Sequence, residues 1–342
     1  MTSIMKKAIS LAAVSLLLAS AAAAQNVTKT GTTAAKFLSI PVGSRALGMG
    51  GAYVSIANDA SAMYWNPGGL AKLPTNELFV QHSEWLADIN FDYLAMAVPF
   101  ADGVAGINLT AMTMSEFEVL TEEFPNGTGE TFAASSYALG VAYARNLTDR
   151  FGIGANVKYI TEKIGNTTAS SIAVDIGTMF TTPFAGIRLG ASISNFGNKM
   201  QMTGDDLLVQ SDIDPQFSGN NPNINSYLAT EKFDLPLLLR IGISWDAFNT
   251  EQNRLTLAVD GGHPNDNSEY ANAGFEYALF NETVFLRGGY KSIFLSDREE
   301  KFAFGGGFHY KFVRGFDVAL NYAFEQFEHL DNVHKFSFSL RF

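Results

Sequence analysis

The sequence predicts an all-β protein, a transmembrane antiparallel β-barrel of about 14 strands with an N-terminal plug inside its lumen. Three observations predict this fold class. Segments of about ten residues with alternating apolar and polar side chains repeat from residue 77 onward. Tight and long connections alternate between these segments. Glycine and phenylalanine are abundant, at 31 and 28 residues, as is typical of barrels that face lipid outside and water inside.

Residues 1–24 have the pattern of a secretory signal peptide. Lys6 and Lys7 precede an apolar run over residues 8–18, which is too short to span a bilayer, and small residues suited to cleavage end at Ala24. An uncleaved anchor helix is the alternative interpretation, which the short apolar run disfavours. We therefore expect an exported chain, and the barrel pattern places it in the bacterial outer membrane.

The composition excludes several classes of function. Loss of the signal segment removes two lysines and no acid, so the net charge goes from −11 to −13. An acidic exported chain has no electrostatic footprint for nucleic acid. The chain contains no cysteine, so neither disulfides nor thiolate chemistry support it.

The stretch from residue 37 to residue 73 differs from both its flanks. It is rich in glycine, and an amphipathic run over residues 53–64 indicates a short helix. Pro67 disfavours helical geometry at Asn66, and the two glycines that follow predict a turn. We expect residues 25–76 to form an N-terminal extension and a hatch in the lumen, followed by the barrel over residues 77–342.

Fourteen segments after the hatch have the length and period-two pattern of tilted membrane strands. They are 77–86, 91–101, 103–113, 132–146, 151–163, 171–182, 186–195, 235–247, 254–262, 269–280, 283–294, 301–312, 315–328 and 333–342. The last one alternates strictly and ends on Phe342, like the C-terminal signal that the barrel-assembly machinery recognises. Pairing of this strand with the first would remove both sheet edges.

The connections predict an orientation. One set is tight, such as residues 101–103 and 281–282, and the other set is longer, with main members at 115–131 and 197–234. The two sets alternate along the chain, and in outer-membrane barrels the short turns face the periplasm. The sequence therefore predicts that the long loops face the cell exterior.

No pattern in the sequence predicts catalysis, a cofactor or a metal site. There is no P-loop, GxGxxG, HExxH or GxSxG motif. The five histidines lack metal-ligand spacing, and no serine and acid can be placed beside His309, so that residue is interpreted as a structural lumen residue.

Polar residues of the hatch are candidates for a latch, because polar groups buried in a barrel must find partners. The hatch candidates are Arg45, Asn58, Asp59, Trp65, Asn66 and Pro67. Candidate partners on the predicted lumen face of the wall are Lys158, Asp175, Arg188, Arg240, Asp260, Arg287, His309 and Lys311. The alternative is that the hatch residues only cap and turn the plug, and the sequence does not decide between the two.

Five blocks in this region carry a family resemblance. They are Ala35–Leu38, Gly43–Ala46, Gly48–Ala52, Asn58–Ala62 and Tyr64–Ala71. In these blocks the chain resembles the FadL-like barrels and, within them, the PorV/PorQ family of the type IX secretion system of Bacteroidetes. Gly68 departs from the commoner Asn-Pro-Ala-Gly form. The resemblance implies a monomeric 14-stranded barrel with a plugged lumen.

The resemblance implies two hypotheses of function, neither of them enzymatic. The first is a PorV/PorQ-type role in type IX protein secretion, with secretion-system subunits and secreted cargo as partners. The alternative is a FadL-like channel for hydrophobic small molecules, with a hydrophobic ligand in the lumen. Both expect outer-membrane lipid around the barrel. A continuous apolar pocket would favour the channel, whereas a lumen filled with paired charges would favour partner binding.

Overall fold

The computed structural model of the chain describes residues 29–212, 216, 223–295, 298–312 and 315–342. The expected signal segment, residues 1–24, lies outside the described residues. Within the described ranges, no helix has the length and apolar character needed to cross a membrane.

Fourteen antiparallel strands form one closed sheet, which confirms the predicted fold class. The strands are β1 Glu77–Glu84, β2 Asn90–Phe100, β3 Gly103–Thr113, β4 Ala134–Thr148, β5 Phe151–Ile164, β6 Thr167–Thr181, β7 Arg188–Gly197, β8 Leu238–Asn249, β9 Arg254–Pro264, β10 Tyr270–Leu279, β11 Val284–Ile293, β12 Glu300–Lys311, β13 Asp317–Phe327 and β14 Val333–Arg341. Each strand pairs with the next along the chain, and β14 pairs with β1 from Glu77 opposite Arg341 to Ser83 opposite Lys335. Closure leaves no strand edge of the wall unpaired, as a bilayer requires.

The two faces of the wall differ in chemistry. Outward side chains are large and apolar, and many are about half exposed, such as Ile241 at 59% and Phe304 at 54%. Inward side chains of the same strands are polar or charged and buried, such as Arg240 and Ser244. An apolar outer band around a polar interior is the pattern of a membrane barrel.

The two long connections, 114–133 and 198–237, lie at the same end as predicted, but connections of four to six residues occur at both ends. At one end the connections are residues 101–102, 149–150, 182–187, 250–253, 280–283 and 312–316, and at the other 85–89, 114–133, 165–166, 198–237, 265–269, 294–299 and 328–332. The two-residue turn Gly165–Asn166 lies at the long-loop end, where a longer connection was expected. Gly165 has a φ of +56°, which suits the first position of a tight hairpin turn.

A contact from the neighbouring loop supports this turn. The main-chain and side-chain amides of Asn166 donate to the Asp206 carboxylate at 2.8 and 3.0 Å. These hydrogen bonds lower the pKa of Asp206, because they favour its charged form. Sequence alternation alone does not reveal this partner, which follows 40 residues later.

Several shorter strands and turns lie in the connections at the long-loop end. Two small antiparallel pairs join Phe117–Glu118 to Thr131–Phe132 and Leu208–Ser211 to Ile224–Tyr227, and Thr203–Gly204 pairs with β6. Single 3₁₀ turns lie at Leu86–Asp88 and Asp205–Leu207.

The segment before β1 runs through the lumen from the long-loop end to the short-turn end. Its elements are two 3₁₀ helices, Lys36–Ser39 and Pro67–Lys72, and two short α-helices, Ser44–Gly48 and Ala62–Trp65. Of the short helix indicated over residues 53–64, only the part from Ala62 forms, since turns, a bend and irregular backbone occupy residues 53–61. We call residues 35–73 the lumen segment.

The start of the described chain lies at the long-loop end. The Ala34 N–H donates to the Asp234 carbonyl at 2.9 Å, and Thr33 and Lys36 both bind the Asp266 carboxylate, at 2.8 and 2.5 Å. Asp234 and Asp266 belong to long-loop connections, whereas β1 begins at Glu77 at the other end. Residues 29–34 therefore emerge at the long-loop end, which the sequence predicts to face the cell exterior.

This threading has a testable consequence. In a Thr32→Cys variant, a membrane-impermeant maleimide is expected to label intact cells, because Thr32 is exposed at the long-loop end. Glu251→Cys, in the 250–253 turn at the opposite end, is the control and should react only after the outer membrane is permeabilised. The chain contains no cysteine of its own, so each label has one target. Labelling of Glu251→Cys but not Thr32→Cys on intact cells would reverse the orientation.

Candidate functional site

The lumen segment is the most buried part of the described chain. Its side chains include Met49, Tyr53, Met63 and Leu70, all with no exposed surface, and they form one apolar cluster with inward residues of the wall such as Phe91. Burial of this apolar surface is the main force that holds the segment in the lumen. Its polar groups then determine where it is fixed.

Arg45 connects the lumen segment to the wall through Glu276 on β10. The guanidinium of Arg45 donates two parallel hydrogen bonds to the Glu276 carboxylate, at 2.8 and 3.0 Å. Arg287 on β11 and Arg254 on β9 bind the same carboxylate at 2.8 and 3.2 Å. A bidentate, charge-assisted contact of this kind is strong and fixes orientation.

Asn58 and Asp59 support Arg45 from within the lumen segment. Arg45 donates to the Asn58 side-chain oxygen at 2.7 Å and to the Tyr53 hydroxyl at 3.2 Å. The Tyr53 hydroxyl donates in turn to Asp59 at 2.5 Å, and Asp59 also accepts from the main chain and hydroxyl of Ser61. Asn58 and Asp59 therefore orient Arg45 and turn the chain, and they make no wall contact of their own within the described structure.

Two further anchors use backbone groups of the lumen segment. The Asp260 carboxylate on β9 accepts the N–H groups of Tyr53 at 2.6 Å and Val54 at 2.8 Å. The Asn66 amide donates to the Val54 carbonyl and, at 2.9 Å, to the Thr178 carbonyl of β6. These bonds satisfy main-chain groups that burial removes from water.

Trp65 is held on three sides. Its indole N–H donates to the Val42 carbonyl at 2.7 Å, and its own carbonyl accepts from the Ser192 hydroxyl of β7 at 2.9 Å. The Arg240 guanidinium of β8 lies 5.0 Å from the Trp65 ring centre and 5.4 Å from that of Tyr64. These distances are within the range of a cation–π contact.

The turn expected after Pro67 is instead a 3₁₀ helix. Asn66 is extended, as Pro67 requires, and its side chain accepts from the Gly68 N–H as an N-cap at 3.1 Å. A Cβ on Gly68 would lie 2.7 Å from the Gly177 carbonyl oxygen of the wall. Glycine at position 68 therefore provides close backbone contact and does not loosen a turn.

The other predicted wall candidates make no hydrogen bond or ion pair to the lumen segment in the described structure. Lys158 and Asp175 pair with each other at 2.9 Å, and Arg188 pairs with Asp246 at 2.7 Å. His309 lies 3.7 Å from Asp317, and Lys311 is exposed at the end of β12. Sequence alternation places these charged side chains on the lumen face of the wall. There Lys158, Asp175 and Arg188 pair with charged residues of the wall itself and not with the lumen segment.

Two important contacts were missed from the sequence. Glu276 accepts from three arginines, and Lys335 of β14 donates to the Pro41 carbonyl at 2.8 Å, beneath the Trp85 ring at 4.5 Å. Both residues lie at inward-facing positions of strands that the alternation predicts. The available signal was an isolated charge among small or apolar inward neighbours, such as Glu276 before Ala278.

The lumen segment separates two cavities. The outer cavity, about 200 Å³, lies toward the long loops and is lined by Tyr64, Trp65, Leu238, Arg240 and Tyr270 among others. The inner cavity, about 340 Å³, lies toward the short turns and is lined mainly by charged residues, including five arginines. The lumen thus contains paired charges and two separate cavities.

Part of the chain resembles a known sequence family. The sequence model of an uncharacterised protein family (UPF0164) matches residues 8–121, a third of the chain. That range includes the lumen segment and the first three strands. No curated protein matches this chain.

Solved structures share the fold over most of the chain. The CymD monoaromatic hydrocarbon channel is 12% identical, with a TM-score of 0.57 over 88% of this chain and 96% of that one. The toluene transporter TodX of Pseudomonas putida is 13% identical, with a TM-score of 0.57 over 87% of this chain and 97% of that one. These likenesses show that the chain shares its overall fold with these two proteins.

Proposed function

We propose that this protein is an outer-membrane channel for small hydrophobic molecules, closed by the lumen segment and opened when that segment moves. The observation that carries the proposal is the outer cavity, which lies directly on the exterior side of the lumen segment. It is the first enclosed space that a molecule entering past the long loops would meet.

The size and lining of the outer cavity fit a single aromatic ring. Its apolar wall consists of Tyr64, Trp65, Leu238, Pro264, Tyr270 and Leu295, and charged residues that include Arg240, Asp260 and Lys291 line the rest. An apolar cavity of about 150 Å³ is known to hold benzene, so by volume about 200 Å³ is sufficient for a ring with one or two substituents. The proteins of similar fold, by their names, conduct monoaromatic hydrocarbons or toluene, which supports the same substrate class.

Passage requires the lumen segment to move, because it separates the outer cavity from the inner one. Release of Arg45 from Glu276 leaves that carboxylate bound to Arg254 and Arg287. The buried charge of Glu276 therefore stays paired when Arg45 leaves, and the large free-energy cost of an unpaired buried charge does not arise at the wall. This arrangement suits a contact that breaks and forms again.

The proposal predicts uptake that depends on the outer cavity. Intact cells that express the protein are expected to take up labelled toluene faster than cells that lack it. Leu238→Trp fills the cavity and should return the rate toward that of cells without the protein. Leu239→Trp, one residue away on the lipid-facing side, is the matched control and should leave the rate unchanged.

Two results would count against the channel. One is equal uptake with and without the protein, at equal expression of folded barrel. The other is an equal loss of uptake in both tryptophan variants.

The secretion role implied by the PorV/PorQ resemblance is the second candidate. The paired charges in the lumen are the observation that favours it, since this was the pattern expected of a partner-binding barrel. The solved structures of similar fold are channels and transporters, which favours the conduit and also a non-enzymatic role. Accumulation of unsecreted cargo in the periplasm of a deletion strain would support the secretion role instead.

A further inference from the structure

The inner cavity lies on the short-turn side of the lumen segment, and its lining extends from Arg45 and Arg254 to Arg341. Its wall includes residues of β11 to β14, where the small side chains of Ala319 and Ser339 leave space between larger polar residues. A Cβ at Gly307 would lie 2.8 Å from a terminal nitrogen of Arg287, so the glycine leaves room for the Arg287 guanidinium. The cavity opens toward the short-turn end of the barrel.

Guanidinium and amide groups with spare hydrogen-bond donors face this cavity. Arg341 uses its Nε on Glu77 at 3.2 Å, and within the described residues its two terminal nitrogens have no hydrogen-bond partner. Arg287 uses Nε on Glu276 and Nη1 on Asn321, and in the same ranges Nη2 has none. The Asn321 amide nitrogen also lacks an acceptor among the described groups. Arg287 and Asn321 stand on neighbouring parts of the wall, joined by a 2.8 Å bond.

Most acids around the cavity bind other residues of its lining. Glu77 binds Arg341 through one carboxylate oxygen, its other oxygen has no hydrogen-bond partner among the described groups, and Glu282 binds Arg254 at 2.8 Å. Asp59 is held by Tyr53 and Ser61, and Asp317 lies 3.7 Å from His309. Glu276 and Asp246, just behind the lining, pair with Arg45, Arg254, Arg287 and Arg188, so the arginines are neutralised as a group. The unused N–H groups of Arg341 and Arg287 are the groups available to a ligand.

We propose that the inner cavity binds a small solute that carries an oxyanion group, a carboxylate, phosphate or sulfate, through Arg341, Arg287 and Asn321. Planar guanidinium groups match such oxyanions with paired hydrogen bonds. The low-dielectric walls of the barrel strengthen these bonds relative to water. The inference goes beyond the proposed channel function, because the cavity opens toward the short turns and can be reached without movement of the lumen segment.

Calorimetric titration of the purified full-length barrel in detergent tests this site. Benzoate and inorganic phosphate are the probes, and benzyl alcohol is the neutral counterpart of benzoate. At least one of the two anions is expected to bind saturably, and benzyl alcohol is not expected to compete with it. Arg341→Gln should weaken anion binding by about tenfold or more, the effect of one lost charge-assisted hydrogen bond.

Two further variants keep the test decisive. Arg145→Gln removes an arginine that pairs with Asp102 on the outside of the same end, and it should bind as the unaltered protein does. Ala319→Leu fills the cavity without changing its charge and should also weaken binding, so it decides the matter if Arg341→Gln does not fold. Absence of saturable binding by either anion, or equal affinity in Ala319→Leu and the unaltered protein, would overturn the proposal. Toluene uptake is a separate readout, so the channel and this site can fail independently.

Discussion

Replacement of Glu276 by glutamine is expected to destabilise the folded barrel by about 3–5 kcal/mol, the range for removal of one partner from a buried ion pair. The Glu276 side chain has no exposed surface and holds three arginines together, Arg45, Arg254 and Arg287. A neutral side chain leaves their positive charges close together in the lumen, and it offers a single acceptor oxygen to all three. Urea unfolding in detergent micelles, followed by tryptophan fluorescence, measures the change.

Glu282→Gln is the matched control for this prediction. Glu282 binds Arg254 at 2.8 Å but its side chain is 47% exposed, so its loss should change stability by less than about 1 kcal/mol. A similar effect of the two substitutions would show that Glu276 is not the centre of the charge network.

Replacement of Arg45 by glutamine is expected to convert a closed barrel into one that conducts ions. The variant loses the bidentate contact that ties the lumen segment to β10, while Glu276 keeps Arg254 and Arg287. Water from the inner cavity can then replace Arg45 beside the segment. In planar bilayers the unaltered protein should show no steady current, and Arg45→Gln should show frequent openings.

Arg188→Gln separates the latch from a general effect of charge. Arg188 lines the same cavity, but it pairs with Asp246 of the wall and makes no hydrogen bond to the lumen segment in the described structure. It removes the same charge and should leave the barrel closed. Equal currents in the two variants would contradict a latch at Arg45.

The strands of the barrel wall can be predicted from the sequence, because period-two alternation indicates the face of the sheet on which each side chain lies. The alternate apolar side chains from Phe302 to Phe312 and from Leu239 to Trp245 point outward, since lipid selects for apolar residues at every second position. The turn at Gly165–Asn166 was missed because its support comes from Asp206, a contact that spacing along the chain does not encode.

The conformation of the lumen segment is harder to predict from the sequence, because it depends on contacts with the wall around it. Residues 53–61 form turns, a bend and irregular backbone and not a helix, since Asp260 captures the N–H groups of Tyr53 and Val54 that an isolated helix would leave free or use itself. Arg45 and Asp260 could be selected as polar residues in a predicted interior. Their partners could not, because Glu276 and Tyr53 are brought to them only by closure of the sheet.

Hydrogen–deuterium exchange tests the central claim most directly. If the lumen segment is packed inside a closed barrel, amides such as those of Tyr53 and Val54, bound to buried Asp260, should exchange as slowly as amides of the flanking strands. Exchange over residues 43–71 at the rate of the exposed residues 29–32, with the wall still protected, would contradict the account.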